Sequence, residues 1–75
     1  MTLDDQNPGM PEIAFNLGFA YLILERVEEA KKEFVRATDT DPKFSLAWYN
    51  LGALAEKEND FEFALYNYEQ GLKHN

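Results

Sequence analysis

The sequence predicts an all-α fold: antiparallel helix–turn–helix pairs stacked as a short α–α superhelix, four helices in all. Three observations carry this. Pro8, Asn16, Leu17, Gly18 and Ala30 reappear as Pro42, Asn50, Leu51, Gly52 and Ala64, each 34 residues later, and Phe34 meets Tyr68 at the same offset. Within each period the apolar residues recur at helical spacing. Turn-forming residues, Asp41-Pro42 and Asn59-Asp60 above all, fall between the periodic segments. The organisation that follows is a polar N-terminal segment or the close of a preceding repeat at 1–10, a first unit at 11–44 and a second at 45–75.

Each element has its own local cause. Residues 1–7 are polar and without periodicity, and Pro8, Gly9 and Pro11 then punctuate the chain. Pro11 suits the first turn of a helix, where its missing N–H costs nothing. From Ile13 to Leu24 the residues are apolar nearly all round, as in a helix that is sandwiched between neighbours or lines a groove. Val27, Ala30, Phe34 and Ala37 form a single stripe, with Glu28, Glu29, Lys32, Glu33 and Arg36 away from it. That is an amphipathic second helix, with Glu28 and Lys32 spaced for an ion pair. Pro42 stops it, and Asp39 to Lys43 form a turn. A third helix is expected from about Ser45 to Lys57, burying Trp48, Leu51, Leu54 and Ala55. Asn59 and Asp60 end it and begin the next, with Asn59 and Glu62 spaced as a loose capping box. The fourth helix carries Phe61, Ala64, Leu65, Tyr68 and Leu72 at helical spacing.

Small residues set the expected packing. Gly18 and Gly52 fall inside helices, where glycine costs about 1 kcal/mol against alanine. Ala30 and Ala64 fall on the facing helices. Glycine opposite alanine lets two backbones approach, with Phe34 and Tyr68 closing the gap.

Composition removes several classes of function. Seventy-five residues make one small domain without a cysteine, so neither a disulfide nor a cysteine-bound zinc supports it. The apolar run from Ala14 to Leu24 is far short of the roughly 18–20 residues needed to span a bilayer. Fourteen acidic against seven basic residues leave a net charge of −7, which repels nucleic acid and anionic lipid. Its plain reading is that acidity keeps the domain soluble, and it would also suit a basic partner. A nucleophile needs an adjacent base, and the chain has one serine, Ser45, and one histidine, His74, near the C-terminus. Asp39 and Asp41 are followed by Pro42 and Lys43, where a calcium loop would continue with ligands and glycine. No catalytic residue, metal site or cofactor is therefore expected. Trp48, Tyr66 and Tyr68 have no basic track beside them, so base stacking is not expected either.

Trp48-Tyr49-Asn50-Leu51-Gly52, Ala64 and Tyr68 resemble the signature of the tetratricopeptide repeat family. Phe15-Asn16-Leu17-Gly18, Tyr21, Ala30, Phe34, Ala37 and Pro42 resemble it in the first unit. The resemblance runs from about Pro11 to the C-terminus. The chain departs from the family at Ala14, where a bulky residue is usual, and at Glu25-Arg26, in place of a Gly-Asp turn. It departs again at Thr38, where leucine is usual, and at Gly71, where alanine is usual.

The resemblance implies a protein–protein interaction scaffold whose first helices line a concave, partly aromatic groove for a peptide or helix of a partner protein. Carried over position by position, that groove is lined by Glu12, Phe15, Phe19, Leu22 and Ile23 from the first unit. Leu46, Tyr49, Ala53, Glu56 and Lys57 line it from the second. Phe15, Phe19 and Tyr49 are the aromatic anchor candidates, although Phe15 and Phe19 are equally well read as core. Some family members clamp a C-terminal carboxylate with lysine and arginine, but Phe15, Phe19, Leu46 and Asn50 stand where those cations or their companion asparagine would be. Asn16 and Asn50 read as structural. The alternative function is self-association as a homodimer through an uncapped end of the stack, for which Phe61, Phe63 and Tyr66 supply apolar area. No targeting signal is visible, so a cytoplasmic location is the default expectation.

Overall fold

The computed structural model describes residues 10–74, and positions 1–9, including Pro8, lie outside the described residues. Among the described residues, four α-helices follow one another: α1 (Pro11–Ile23), α2 (Val27–Thr40), α3 (Ser45–Lys57) and α4 (Phe61–Lys73). There is no strand among the described residues. Helix α1 packs on α2, α3 on α4, and α2 joins the two hairpins through α3. The backbone measures 36 × 28 × 13 Å. A body this thin has little interior, so a few side chains must do most of the packing.

Two clusters supply that interior. Ala30 and Phe34 of α2 meet Leu51 and Leu54 of α3, with Phe15, Tyr21, Leu22, Val27 and Trp48 against them. Ala14, Ala37 and Ala47, one from each of α1, α2 and α3, converge beside Phe15 and Phe44. Three alanines at one crossing leave room for three backbones. The expected stripe of α2 is fully inside at Ala30, Phe34 and Ala37, and Thr38 joins it. Burial of Thr38 is tolerated because its Oγ1 donates to the Val35 carbonyl at 2.9 Å.

The glycines sit under aromatic rings. A Cβ on Gly18 would lie 2.6 Å from Cε1 of Phe34, and one on Gly52 would lie 2.8 Å from Cε1 of Tyr68. Gly71 holds the Tyr49 ring in the same way. The ring four residues beyond the alanine, rather than the alanine itself, occupies the space each helical glycine of the first helices leaves open.

Helix ends correct some local expectations. Both hairpin bends put a residue in the left-handed region, Glu25 at φ 60° and Asn59 at φ 64°. Arg26 N donates to Tyr21 O and Glu25 N to Leu22 O, and Asp60 N donates to Ala55 O and Asn59 N to Glu56 O. Both are Schellman closures. Asp60, not Asn59, is therefore the N-cap of α4: its Oδ1 accepts from Phe63 N at 3.3 Å, and the Asn59–Glu62 box is one residue early. Glu28 reaches Lys31 at 3.4 Å, a spacing of three rather than the four expected with Lys32. Between the hairpins, Lys43 N donates to Asp41 Oδ1 at 3.0 Å and Trp48 Nε1 donates to the Pro42 carbonyl at 2.7 Å.

The outer faces differ most from expectation. Helix α1 was expected either to be sandwiched between neighbours or to line a groove. It buries Pro11, Ala14 and Gly18, while Leu17, Phe19, Ile23 and Leu24 remain exposed. On α4 the buried residues are Ala64, Asn67 and Gly71. Phe61, Leu65 and Leu72 share the expected helical stripe but are open to solvent.

Candidate functional site

The ten groove positions fall on two matching helical faces. Glu12, Phe15, Phe19, Leu22 and Ile23 recur along α1 at steps of three, four, three and one, and Leu46, Tyr49, Ala53, Glu56 and Lys57 repeat those steps along α3. Their environments are not equal. Phe15 is half-buried, its ring 4.9 Å from Phe19, 5.6 Å from Phe34 and 5.0 Å from Phe44. It is an integral part of the core. Phe19 stands edge-on to Phe15 and Phe34 but keeps 41% of its surface open. Ile23 is 82% exposed and Leu46 55%. Tyr49 is half-buried, with one edge of its ring against Gly71, so only part of it faces outward. Leu22 is half-buried, while Glu12, Ala53, Glu56 and Lys57 are exposed.

Among these ten positions, exposed apolar area lies on α1, at Phe19 and Ile23, and at the start of α3, at Leu46. The far end of α3 is polar. There Tyr68 Oη donates to Glu56 Oε1 at 2.9 Å across the hairpin. That bond to a carboxylate stabilises the neutral phenol and raises the Tyr68 pKa above its ordinary value, with desolvation adding in the same direction. Lys31 Nζ meets Glu58 Oε1 at 2.8 Å, and that bond, more than the one to Glu28, raises the lysine pKa against the opposing effect of desolvation.

Two clefts adjoin this framework. One, of about 380 Å³, lies at the bend end and is lined by Leu22, Glu25, Val27, Leu54, Lys57 and Glu58. It includes Leu22 and Lys57 from the expected groove. A smaller one, of about 190 Å³, opens where α2, α3 and α4 meet, between Val35, Thr38, Trp48, Phe63, Tyr66 and Asn67. Sequence reasoning missed Asn67, which is fully buried there. Its Nδ2 donates to the Phe63 carbonyl at 2.8 Å and its Oδ1 has no partner. Its position, 34 residues after Glu33 and three after Ala64 on the inward stripe, is the signal that could have shown it. Asn50, expected to be structural, donates its Nδ2 hydrogen back to Leu46 O at 2.7 Å within α3.

Among the described residues, no three His, Asp or Glu side chains are grouped so as to hold a metal ion. No helix among them is long and apolar enough to cross a membrane. Stacked helix hairpins with an apolar first-helix face define a helical-repeat scaffold. Residues 11–44 match the family described as Tetratricopeptide repeat. The first hairpin, residues 11–44, is thus a tetratricopeptide repeat, a unit that in general mediates protein–protein interaction. It is similar to human Neutrophil cytosol factor 2, 30% identical over 60 residues. That match covers 80% of this chain and 11% of the relative's length.

Proposed function

We propose that the chain binds an apolar peptide segment or helix of a partner protein along the first-helix faces, with Phe19, Ile23 and Leu46 as the main contacts. The observation that carries this reading is their exposure on matching faces of α1 and α3, although each is strongly apolar. Tyr49 contributes the free edge of a ring already held by Gly71, a contact that costs little conformational entropy. Glu12 at one end, with Glu56 and Lys57 at the other, fixes the direction in which a peptide lies. The net charge of −7 favours segments with basic flanks. The units at 11–44 and 45–75 act together in this reading, because the groove draws on both. The name of the human relative places that protein in the cytosol, and we extend that location to this chain.

A peptide library screened against the wild type and against Phe19→Ala and Ile23→Ser variants tests this. Loss of each apolar contact is expected to weaken selected peptides about tenfold, with helicity unchanged. Equal capture by all three proteins would remove the groove from consideration.

A further inference from the structure

The interface between the two hairpins is a template that the chain's own outer faces repeat. Inside the molecule, Val27 and Thr38 of α2 lie against α3, and Lys31 pairs with Glu58 just beyond its end. Thirty-four residues after Val27, Lys31 and Thr38 stand Phe61, Leu65 and Leu72, in the same register on the open side of α4. On the other half of the template, α3 buries Leu51 and Leu54 and is followed by Glu58. Thirty-four residues before these stand Leu17 and Ala20, on the open side of α1, and Leu24 just beyond its end. The counterparts differ in burial as two halves of an unfilled contact would. Thr38 is 3% exposed against 68% for Leu72, and Leu51 is 1% against 37% for Leu17.

One substitution pattern makes the two open faces fit each other. Where the internal contact has the ion pair Lys31–Glu58, the open face of α4 has Leu65 and the position just beyond α1 has Leu24. Both members change from charged to apolar together. A lysine facing a leucine, or a glutamate facing one, would leave a charge without its partner. Leu24 against Leu65 leaves none. We propose that copies of this chain associate head to tail, α1 of one copy lying on α4 of the next as α3 lies on α2, with Leu24 packed on Leu65 at the position of the internal ion pair.

The contact is heterologous, so it extends by adding copies instead of closing at two. Each copy carries a net charge of −7, so copies repel one another and added salt strengthens an apolar contact between them by screening that repulsion.

Sedimentation velocity of the full 75-residue chain up to about 1 mM tests the proposal. The average mass is expected to rise with concentration, past that of a dimer, and to rise further with salt. Leu24→Glu alone and Leu65→Lys alone are each expected to raise the midpoint concentration about tenfold or more, because each buries an unpaired charge. Both residues are exposed, so circular dichroism should show unchanged helicity. Mixing the two single variants, or combining them in one chain, should restore association by rebuilding the ion pair of the template. A monomer at every concentration overturns the proposal. So does sensitivity to Leu65→Lys with none to Leu24→Glu, the mark of a symmetric contact between two α4 faces. A combined variant as defective as the singles overturns it too.

Discussion

At the bend of the first hairpin Glu25 takes φ 60°, and at the same place in the second Asn59 takes φ 64°. Asparagine tolerates this conformation far better than glutamate does. The residues that follow differ in the same way. Asp60 caps α4 through Phe63 N, whereas Arg26 makes no side-chain cap. Arg26 instead pairs with Glu29 at 2.6 Å and lies over the Tyr21 ring at 5.7 Å. The second hairpin is closed by residues suited to the backbone, the first by side-chain contacts around an unsuited one. The ring positions also differ. Ala37 and Gly71 are equivalent, as are Phe15 and Tyr49. Gly71 admits the Tyr49 ring, while in the first hairpin, with alanine at that place, Phe15 packs with Phe19, Phe34 and Phe44. One methyl group thus accompanies the difference between a ring held within its hairpin and a ring shared with the junction between hairpins.

The largest test of this asymmetry is truncation of the ring over each helical glycine. Phe34 is fully buried, so Phe34→Ala should cost about 3–5 kcal/mol. Tyr68 is half-exposed, and Tyr68→Ala should cost clearly less. Urea unfolding of both variants measures the difference; equal losses would mean that the two hairpins depend on their rings alike. Next in size are the glycines themselves. Gly18→Ala drives a methyl into a ring enclosed on all sides, an overpacking of about 1–3 kcal/mol only partly offset by helix propensity. Gly52→Ala meets a half-exposed ring at 2.8 Å, and should cost less. The bends come third: Glu25→Gly should stabilise by about 0.5–1 kcal/mol by relieving the left-handed strain, and Asn59→Gly by less. Thermal unfolding of the two variants side by side would sharpen or dissolve the contrast.

The smallest effect appears at alkaline pH. Tyr68, bonded to Glu56, and Lys31, bonded to Glu58, both have folded pKa values raised above their ordinary values of 10.0 and 10.5. Folding favours the protonated form of each, so their contribution is complete below those ordinary values and is lost as pH climbs through the raised ones. Tyr68→Phe should lose that small contribution at neutral pH, where the bond to Glu56 is fully formed, and flatten the decline above about pH 10, so that the two proteins converge there. Denaturation midpoints across that range give the comparison. An undiminished slope in the variant would assign the decline to other groups.

Much of this architecture was legible as pattern. The 34-residue period, the stripe of Ala30, Phe34 and Ala37, and the start of α1 at Pro11 depend on local chemistry and spacing, and the helices follow them. The ten expected groove positions came from the family resemblance; equal steps along α1 and α3 place them on matching faces. The standing of each groove residue was not legible. Phe15 and Phe19 share one helical face, yet one serves the core and the other keeps two-fifths of its surface open, because Phe44 from the connecting turn lies against Phe15. Nor could periodicity separate buried Ala64 from exposed Leu65 and Leu72, which share its helix.

Spacing along the chain determined which residues share a face, because the helical repeat is a local property of the backbone. Which face is covered depends on the helix that arrives from elsewhere in the chain. Only the tertiary structure decided that α2 would be covered by α3 while the equivalent face of α4 and the outer face of α1 stayed open.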